Sequence, residues 1–293
     1  MMKFGFAALA GRPNVGKSTL VNALAGTKVT IVSRVAQTTR TPVRGVVTTA
    51  EAQVCFVDTP GIHKPVTLLG ERLNQTARRQ FSDVDMVIAV YDAAGGIGRG
   101  DAVFTSFLPD DKPVLCVLNK IDLASRAEIA QQLKAARDLR DFACYVPLSA
   151  QSGDGVDLLM DEVMQRLPEG AAMFPPDMAT DQTERHLVAE LVREQFLHRT
   201  LQEVPHSVAV FVDDLTGLDE PDGMVRAECT IYVERNSQKG IVIGQGGTLL
   251  RDAGTAARKQ LEGILGRRVY LGLRVRVSRK WQRRAEIMER LGY

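Results

Sequence analysis

The sequence predicts an α/β domain with a mostly parallel sheet, followed by a smaller α+β domain. Three observations carry this expectation. Apolar, strand-like runs alternate with helical segments through residues 4–167. The alternation stops at Pro168-Glu-Gly170 and Phe174-Pro175-Pro176, a cluster that favours neither helix nor strand. Beyond it the order changes to helix, two strands, two helices and a strand, with Gly244-Gln-Gly-Gly247 between the paired helices. Alternating strands and helices place helices on both faces of a parallel sheet. The expected division is residues 1–168, a linker 169–180, and residues 181–293.

The elements follow in order. Phe4–Ala10 predicts the first buried strand and Lys17–Ala25 a helix. Val43–Thr49 and Gln53–Val57 predict an antiparallel edge hairpin, followed by a helix near Leu68–Phe81 and a strand at Val84–Tyr91. A helix at Asp101–Leu108, strand Pro113–Leu118, helix Ser125–Leu139, strand Phe142–Leu148 and helix Val156–Leu167 complete the first domain. In the second, Asp181–Thr200 predicts an amphipathic helix capped by Thr180 or Asp181. Strands at Ser207–Val212 and Val225–Arg235 flank a polar turn over residues 217–223. Helices at Ser237–Ile243 and Leu249–Leu265, a strand at Arg268–Val277 and a last helix at Trp281–Leu291 end the chain's pattern.

Directly after the first strand, Gly11-Arg12-Pro13-Asn14-Val15-Gly16-Lys17-Ser18-Thr19 fits the G-x-x-x-x-G-K-[ST] pattern. Its glycines let successive backbone N–H groups point at a phosphate chain, and the following helix adds its positive N-terminal end. Lys17 brings a charge for the β and γ phosphates, and the Ser18 hydroxyl can ligate Mg²⁺. Asp58-Thr59-Pro60-Gly61 follows another strand, with Asp58 placed to hold Mg²⁺ through water and the Gly61 N–H to meet a γ-phosphate. Asn119-Lys120-Ile-Asp122 and Ser149-Ala150 end two further strands. A carboxylate such as Asp122 accepts two hydrogen bonds from the N1–H and N2–H₂ edge of guanine, which adenine does not offer. Each string alone fits an ordinary turn, but the series in this order points to a guanine nucleotide.

Composition bounds the compartment and the partners. A chain of 293 residues with 45% hydrophobic and 25% charged residues is ordinary for a globular protein, and no apolar run reaches the ~20 residues of a membrane span. Met1-Met-Lys3 and the Ala-Leu-Ala10 end imitate a short signal peptide, but cleavage there would remove the strand that feeds the phosphate loop. Cys55, Cys116, Cys144 and Cys229 are widely spaced and read as core thiols, consistent with the cytoplasm. Residues 226–293 hold 15 Lys and Arg against 6 Asp and Glu, a net +9, which leaves −7 for the preceding 225. A basic tail on a mildly acidic body is the asymmetry expected of one domain meeting a polyanion.

The second domain, with G-x-x-G between two helices, resembles a type II KH domain, which clamps the backbone of about four single-stranded nucleotides. Gly244, Gln245, Gly246 and Gly247 are the expected RNA-binding loop, with Lys239 and Arg251 beside it. KH loops often carry a Lys or Arg at the centre, where this chain has Gln245 and Gly246.

Over nearly its whole length the chain resembles the Era family of P-loop GTPases. The strings that carry the resemblance are Gly11–Thr19, Ala36-Gln-Thr-Thr-Arg40, Asp58–Gly61, Asn119–Asp122, Glu203-Val-Pro-His-Ser-Val208 and the Gly244 loop. The resemblance implies Mg²⁺-dependent GTP hydrolysis to GDP, with Lys17, Thr39, Asp58 and Gly61 at the chemistry. Ser18, Asp58 and either Thr38 or Thr39 are the implied Mg²⁺ ligands, with the weight on Thr39. Asn119 and Asp122 would read guanine, Lys120 cover its ring, and the Ala150 N–H meet O6. Asn14 stands where some related GTPases use an Asn to help bind K⁺, so the resemblance allows a K⁺ contribution there, with loop shaping as the alternative. The implied partners are the 30S ribosomal subunit and 16S rRNA near its 3′ end, with a monomeric protein and peripheral association with the inner membrane.

Some residues argue on their own. Ile62 follows Gly61 where many GTPases place a water-orienting Gln, so the hydrolytic water needs another holder and unassisted turnover is expected to be slow. His63, His186, His198 and His206 have no metal-ligand spacing and read as ordinary surface or packed histidines. Trp281 reads as an anchor of the last helix, with base stacking as the alternative. A competing function gives the C-terminal domain protein contacts in place of RNA; salt-dependent binding of single-stranded RNA separates the two.

Overall fold

The computed structural model describes residues 2–65, 67–220 and 223–293. Contacts divide the chain into two compact units, the main division falling between Asp181 and Gln182.

The first unit runs β1 (Lys3–Ala10), α1 (Lys17–Ala25), β2 (Val43–Thr48), β3 (Ala52–Asp58), α2 (Leu68–Ser82), β4 (Met86–Asp92), α3 (Arg99–Thr105), β5 (Val114–Asn119), α4 (Arg126–Leu139), β6 (Cys144–Pro147) and α5 (Val156–Arg166). Its six strands lie in the order β2-β3-β1-β4-β5-β6, all parallel except β2 against β3. Alternate residues of β1 supply opposite faces. Ala7 and Leu9 pack with Leu20, Val21 and Leu24 of α1 and Leu159 and Val163 of α5. Ala8 and Ala10 pack with Ala77 and Phe81 of α2, Phe104 of α3 and Ala136 of α4. Each large apolar side chain buried this way contributes about 1.5–3 kcal/mol relative to exposure.

The proline-rich stretch after α5 is fastened to this unit rather than loose. Phe4 N donates to Pro168 O at 3.1 Å and Gly170 N to Met2 O at 3.0 Å. Gln53 Oε1 accepts from Met173 N and Phe174 N at 2.9 and 3.0 Å. Further on, Val46 N of the edge strand β2 donates to Ala179 O, and Arg44 pairs with Asp181 at 2.7 Å.

The second unit runs α6 (Glu184–Arg199), α7 (Val204–Ser207), β7 (Ala209–Thr216), β8 (Val225–Val233), α8 (Asn236–Ile243), α9 (Thr248–Leu265), β9 (Val269–Val277) and α10 (Ala285–Arg290). Its sheet is β7-β8-β9, with β7 antiparallel and β9 parallel to β8.

Several local expectations are corrected. The cap of α6 is Thr183, whose Oγ1 accepts from His186 N, because Asp181 is engaged by Arg44. Ser207 ends the short turn α7, begun by Pro205 near its first position, so the strand starts two residues later. The last helix is broken: Trp281–Arg283 form a 3-10 turn and Arg284 is extended before α10. Trp281 is fully buried with Nε1–H donating to Ser207 O at 2.8 Å, which leaves no face for a base. Pro221 and Asp222 of the expected polar turn lie outside the described residues.

Candidate nucleotide site and nucleic-acid interface

The loops at the carboxyl ends of β1, β3, β5 and β6 converge on one edge of the first sheet, the usual ligand edge of such folds. The β1–α1 loop turns through left-handed residues Asn14 (φ 66°) and Gly16 (φ 99°). Gly16 is required twice over, since a Cβ there would also collide with the Asn119 amide. Lys17 is buried, and its Nζ donates to Gly11 O at 3.2 Å and Arg12 O at 3.0 Å. Burial lowers its ammonium pKa to about 8, against the pull of Asp58.

Asp58, at the end of β3, is fully buried. Three hydroxyls donate to its Oδ2: Ser18 at 2.7 Å, Thr39 at 3.1 Å and Thr30 at 3.2 Å. Ser18 Oγ and Thr39 Oγ1 are themselves 3.0 Å apart. Asp58 Oδ1 has no hydrogen-bond partner among the described residues. Burial raises the carboxyl pKa, opposed first by Lys17 and then by these hydroxyls. A compact set of hard oxygens with one orphaned carboxylate oxygen fits a Mg²⁺ ion. Of the two candidate threonines it is Thr39 that stands in this set; Thr38 is half-buried nearby in sequence. Thr30 was not singled out by sequence, since no motif marks it. It is set by Asn22 of α1, whose Oδ1 accepts from Val29 N and Thr30 N, both at 2.9 Å.

The base-side loops are tied to the phosphate loop. Asn119 Nδ2 donates to Val15 O at 2.8 Å, while its Oδ1 accepts from Lys120 N at 2.8 Å and Ala150 N at 3.0 Å. The Ala150 N–H expected to meet guanine O6 is therefore engaged by Asn119 in this structure. Lys120 is held in the left-handed region (φ 67°), and its Nζ donates to Asn14 O at 2.7 Å and pairs with Asp92. Ser149 is buried and closes a turn with Asp154, Ser149 N donating to Asp154 O at 2.8 Å. Asp122 differs from all of these. It lies on an exposed 3-10 turn, and its carboxylate has no partner among the described residues. A cleft of about 600 Å³ opens on this side, lined by Thr19, Asn22, Lys28, Val32, Ala150 and Ser152 among others.

Two members of the motif strings turn elsewhere. The Arg12 guanidinium pairs with Asp101 at 2.9 Å, in the first turn of α3, so only its carbonyl faces Lys17. Thr59 Oγ1 donates to Leu9 O at 2.7 Å and is fully buried, tying β3 to β1, while Pro60 is buried beside it. Gly61 packs against the backbone of Pro13, and Ile62 N donates to Gly11 O at 3.1 Å.

In the second unit Gly244 (φ 75°), Gly246 (φ 59°) and Gly247 (φ 78°) turn the chain from α8 into α9. A Cβ on Gly244 would lie 2.8 Å from Leu249 N, so the loop closes only on a glycine. Around Gly246 and Gly247 there is open space, and Gln245 is exposed, which leaves backbone available to a phosphate. A groove of about 330 Å³ runs from Gly247 between α9 and β9, floored by Leu250, Gly254, Leu271 and Leu273 and edged by Arg251 and Arg258. Lys239 lies on α8 and is not part of its lining. Arg258 and the two leucines of β9 carry no motif in the sequence; the packing of β9 against α9 brings them to the groove.

Comparison with known proteins decides the family. Residues 6–120 match the family described as "50S ribosome-binding GTPase", and residues 203–282 match the KH domain family. A crystal structure of Era in complex with MgGDPNP and nucleotides 1506–1542 of 16S ribosomal RNA is 40% identical, covering 100% of this chain and 99% of that one, with a TM-score of 0.95. The chain belongs to the Era family. It is a GTPase domain joined to a C-terminal KH domain. A structure of an Aquifex aeolicus Era variant bound to GDP·AlF4⁻ is likewise 40% identical, with a TM-score of 0.94 over 100% of this chain and 99% of that one.

Proposed function

We propose that this Era-family protein is a GTP-hydrolysing switch that binds RNA near the 3′ end of 16S rRNA during assembly of the 30S subunit. The observation that carries the nucleotide half is the Asp58 carboxylate, buried with three hydroxyls on one oxygen and an orphaned second oxygen. Ser18, Thr39 and Asp58 would hold Mg²⁺, which when bound supplies positive charge to the β and γ phosphates. Lys17, now on two loop carbonyls, moves its ammonium onto phosphate oxygens; Gly61 N–H meets the γ-phosphate; Asp122 takes the guanine edge. Asn119 holds the two loops together and Lys120 spans from Asn14 over the base. Asn14, left-handed within the phosphate loop, is the residue to which a K⁺ contribution is assigned.

The RNA half is supported by the glycine loop, the apolar groove with Arg251 and Arg258 at its edge, and the rRNA bound in the related Era structure. The reading takes residues 1–168 as the GTPase domain, 169–180 as a linker and 181–293 as the KH domain, in a cytoplasmic monomer. Membrane contact would be peripheral, since no helix among the described residues is long and apolar enough to cross a bilayer. The test is phosphate release from GTP with and without an RNA of the 16S 3′ end: Mg²⁺-dependent release altered by that RNA is expected, and none in either condition refutes the reading.

A further inference from the structure

Ile62 is 3% exposed and packs into the apolar cluster on the α2 face of the sheet, so its side chain has left the nucleotide edge. Polar side chains from both flanking segments meet instead. Gln37 Nε2 contacts His63 Nε2, and His63 Nδ1 lies 3.1 Å from Gly61 O. One tautomer satisfies both contacts: Nδ1–H donates to Gly61 O, and Nε2 accepts from the Gln37 amide. The His63 backbone is fixed by buried Asn74 of α2, which accepts from His63 N at 3.3 Å and donates to His63 O at 2.7 Å. Gln37 stands two residues before Thr39 and is held at φ 63°, a left-handed conformation that costs a non-glycine residue about 1–2 kcal/mol. With Nε2 on His63, the Gln37 Oε1 has no partner among the described residues.

We propose that Gln37 orients the hydrolytic water and that His63 is its positioning residue, together replacing the amide that Ile62 lacks. The inference rests on the GTPase reading above. The Gln37 carbonyl accepts one water O–H and so aims a lone pair at the γ-phosphorus. The new P–O bond forms as the bond to the β–γ bridging oxygen breaks; the electron pair leaves on GDP, and the water's protons pass to the released phosphate. Neither side chain changes charge.

The experiment measures kcat and KM for GTP, together with GDP affinity, in the full-length protein carrying Gln37→Ala, Gln37→Gly, His63→Ala and the Gln37→Ala/His63→Ala pair. Gln37→Gly removes the amide while easing the left-handed backbone, so a folding defect cannot account for its loss. Each single variant is expected to lose about tenfold or more in kcat with KM within about twofold. The pair should be no slower than the worse single, because His63 acts only through Gln37. Free imidazole should restore part of the His63→Ala rate. Unchanged kcat in Gln37→Gly, or losses that multiply in the pair, would overturn the proposal. A wild-type protein that neither binds nor hydrolyses GTP would instead remove the nucleotide reading beneath it.

Discussion

Asn119 and Val15 are joined by a 2.8 Å hydrogen bond across 104 residues of sequence, so the base-side loop is tied directly to the phosphate loop. The same amide holds Ala150 N and Lys120 N, giving three backbone groups a single buried partner. Asn119→Ala should therefore act on the folded state as well as on binding. Leaving buried groups unpaired costs about 1–3 kcal/mol each. Thermal melts of nucleotide-free protein should show a clear drop in Tm; an unchanged Tm would mean that the loops do not need this bracket.

Asp122 is the free acceptor of the base side, and guanine selectivity is assigned to it. Asp122→Asn should weaken GTP by a few kcal/mol, since charge-assisted hydrogen bonds contribute about 1.5–3 kcal/mol each. The variant should gain affinity for xanthosine triphosphate, which carries a carbonyl at position 2. Because the carboxylate is exposed, folding should be untouched. Wild-type GTP affinity in this variant would show that another group reads the base.

Lys17 gives the binding a pH dependence whose sign is fixed. Its folded pKa is lowered to about 8 by burial, so above that pH the free protein carries a neutral amine. Phosphates favour the ammonium, and GTP binding then takes up a proton. Affinity should be flat below about pH 8 and fall above it by up to tenfold per pH unit, ending near the pKa of the bound state. For folding the sign is opposite: the unfolded chain holds that proton up to the ordinary 10.5, so stability rises between about pH 8 and 10.5 from this group. Calorimetry in buffers of different ionisation enthalpy detects the uptake at pH 9; none there would place the Lys17 pKa outside the window.

Much of this molecule was legible in its sequence, for identifiable reasons. The strand runs, the phosphate loop and the glycine loop are local signals, and the helix over Lys17–Ala25 appears with the expected bounds. What escaped required three dimensions. Arg12 belongs to a loop motif, yet its guanidinium answers Asp101, 89 residues away. Thr30 joins Asp58 only because Asn22 folds the intervening loop back. His63 read as an ordinary histidine, since nothing in its neighbourhood announces Gln37 across the site. The cap of α6 moved to Thr183 because a distant arginine claimed Asp181.

Potassium offers a separate check on the phosphate loop. If Asn14 contributes to a monovalent-cation site, hydrolysis should run faster in KCl than in NaCl at equal ionic strength. Asn14→Ala should remove the difference while retaining nucleotide binding. Equal wild-type rates in the two salts would assign Asn14 to loop shape alone.

The central claim, that a GTPase and an RNA clamp act in one chain, is tested most directly by anisotropy of a labelled single-stranded RNA matching the 16S 3′ end. The measurement compares wild-type full-length protein with a variant carrying Gln245→Asp and Gly246→Asp, across a salt series. Both positions are open to solvent, and aspartate tolerates the left-handed backbone at Gly246 better than most residues, so folding and basal GTP hydrolysis should persist. Two carboxylates at the phosphate approach should abolish most of the binding, and wild-type affinity should fall steeply with salt. Equal RNA affinity in both proteins would contradict the account: the glycine loop would then be only a turn, and the KH unit would have to work through protein contacts.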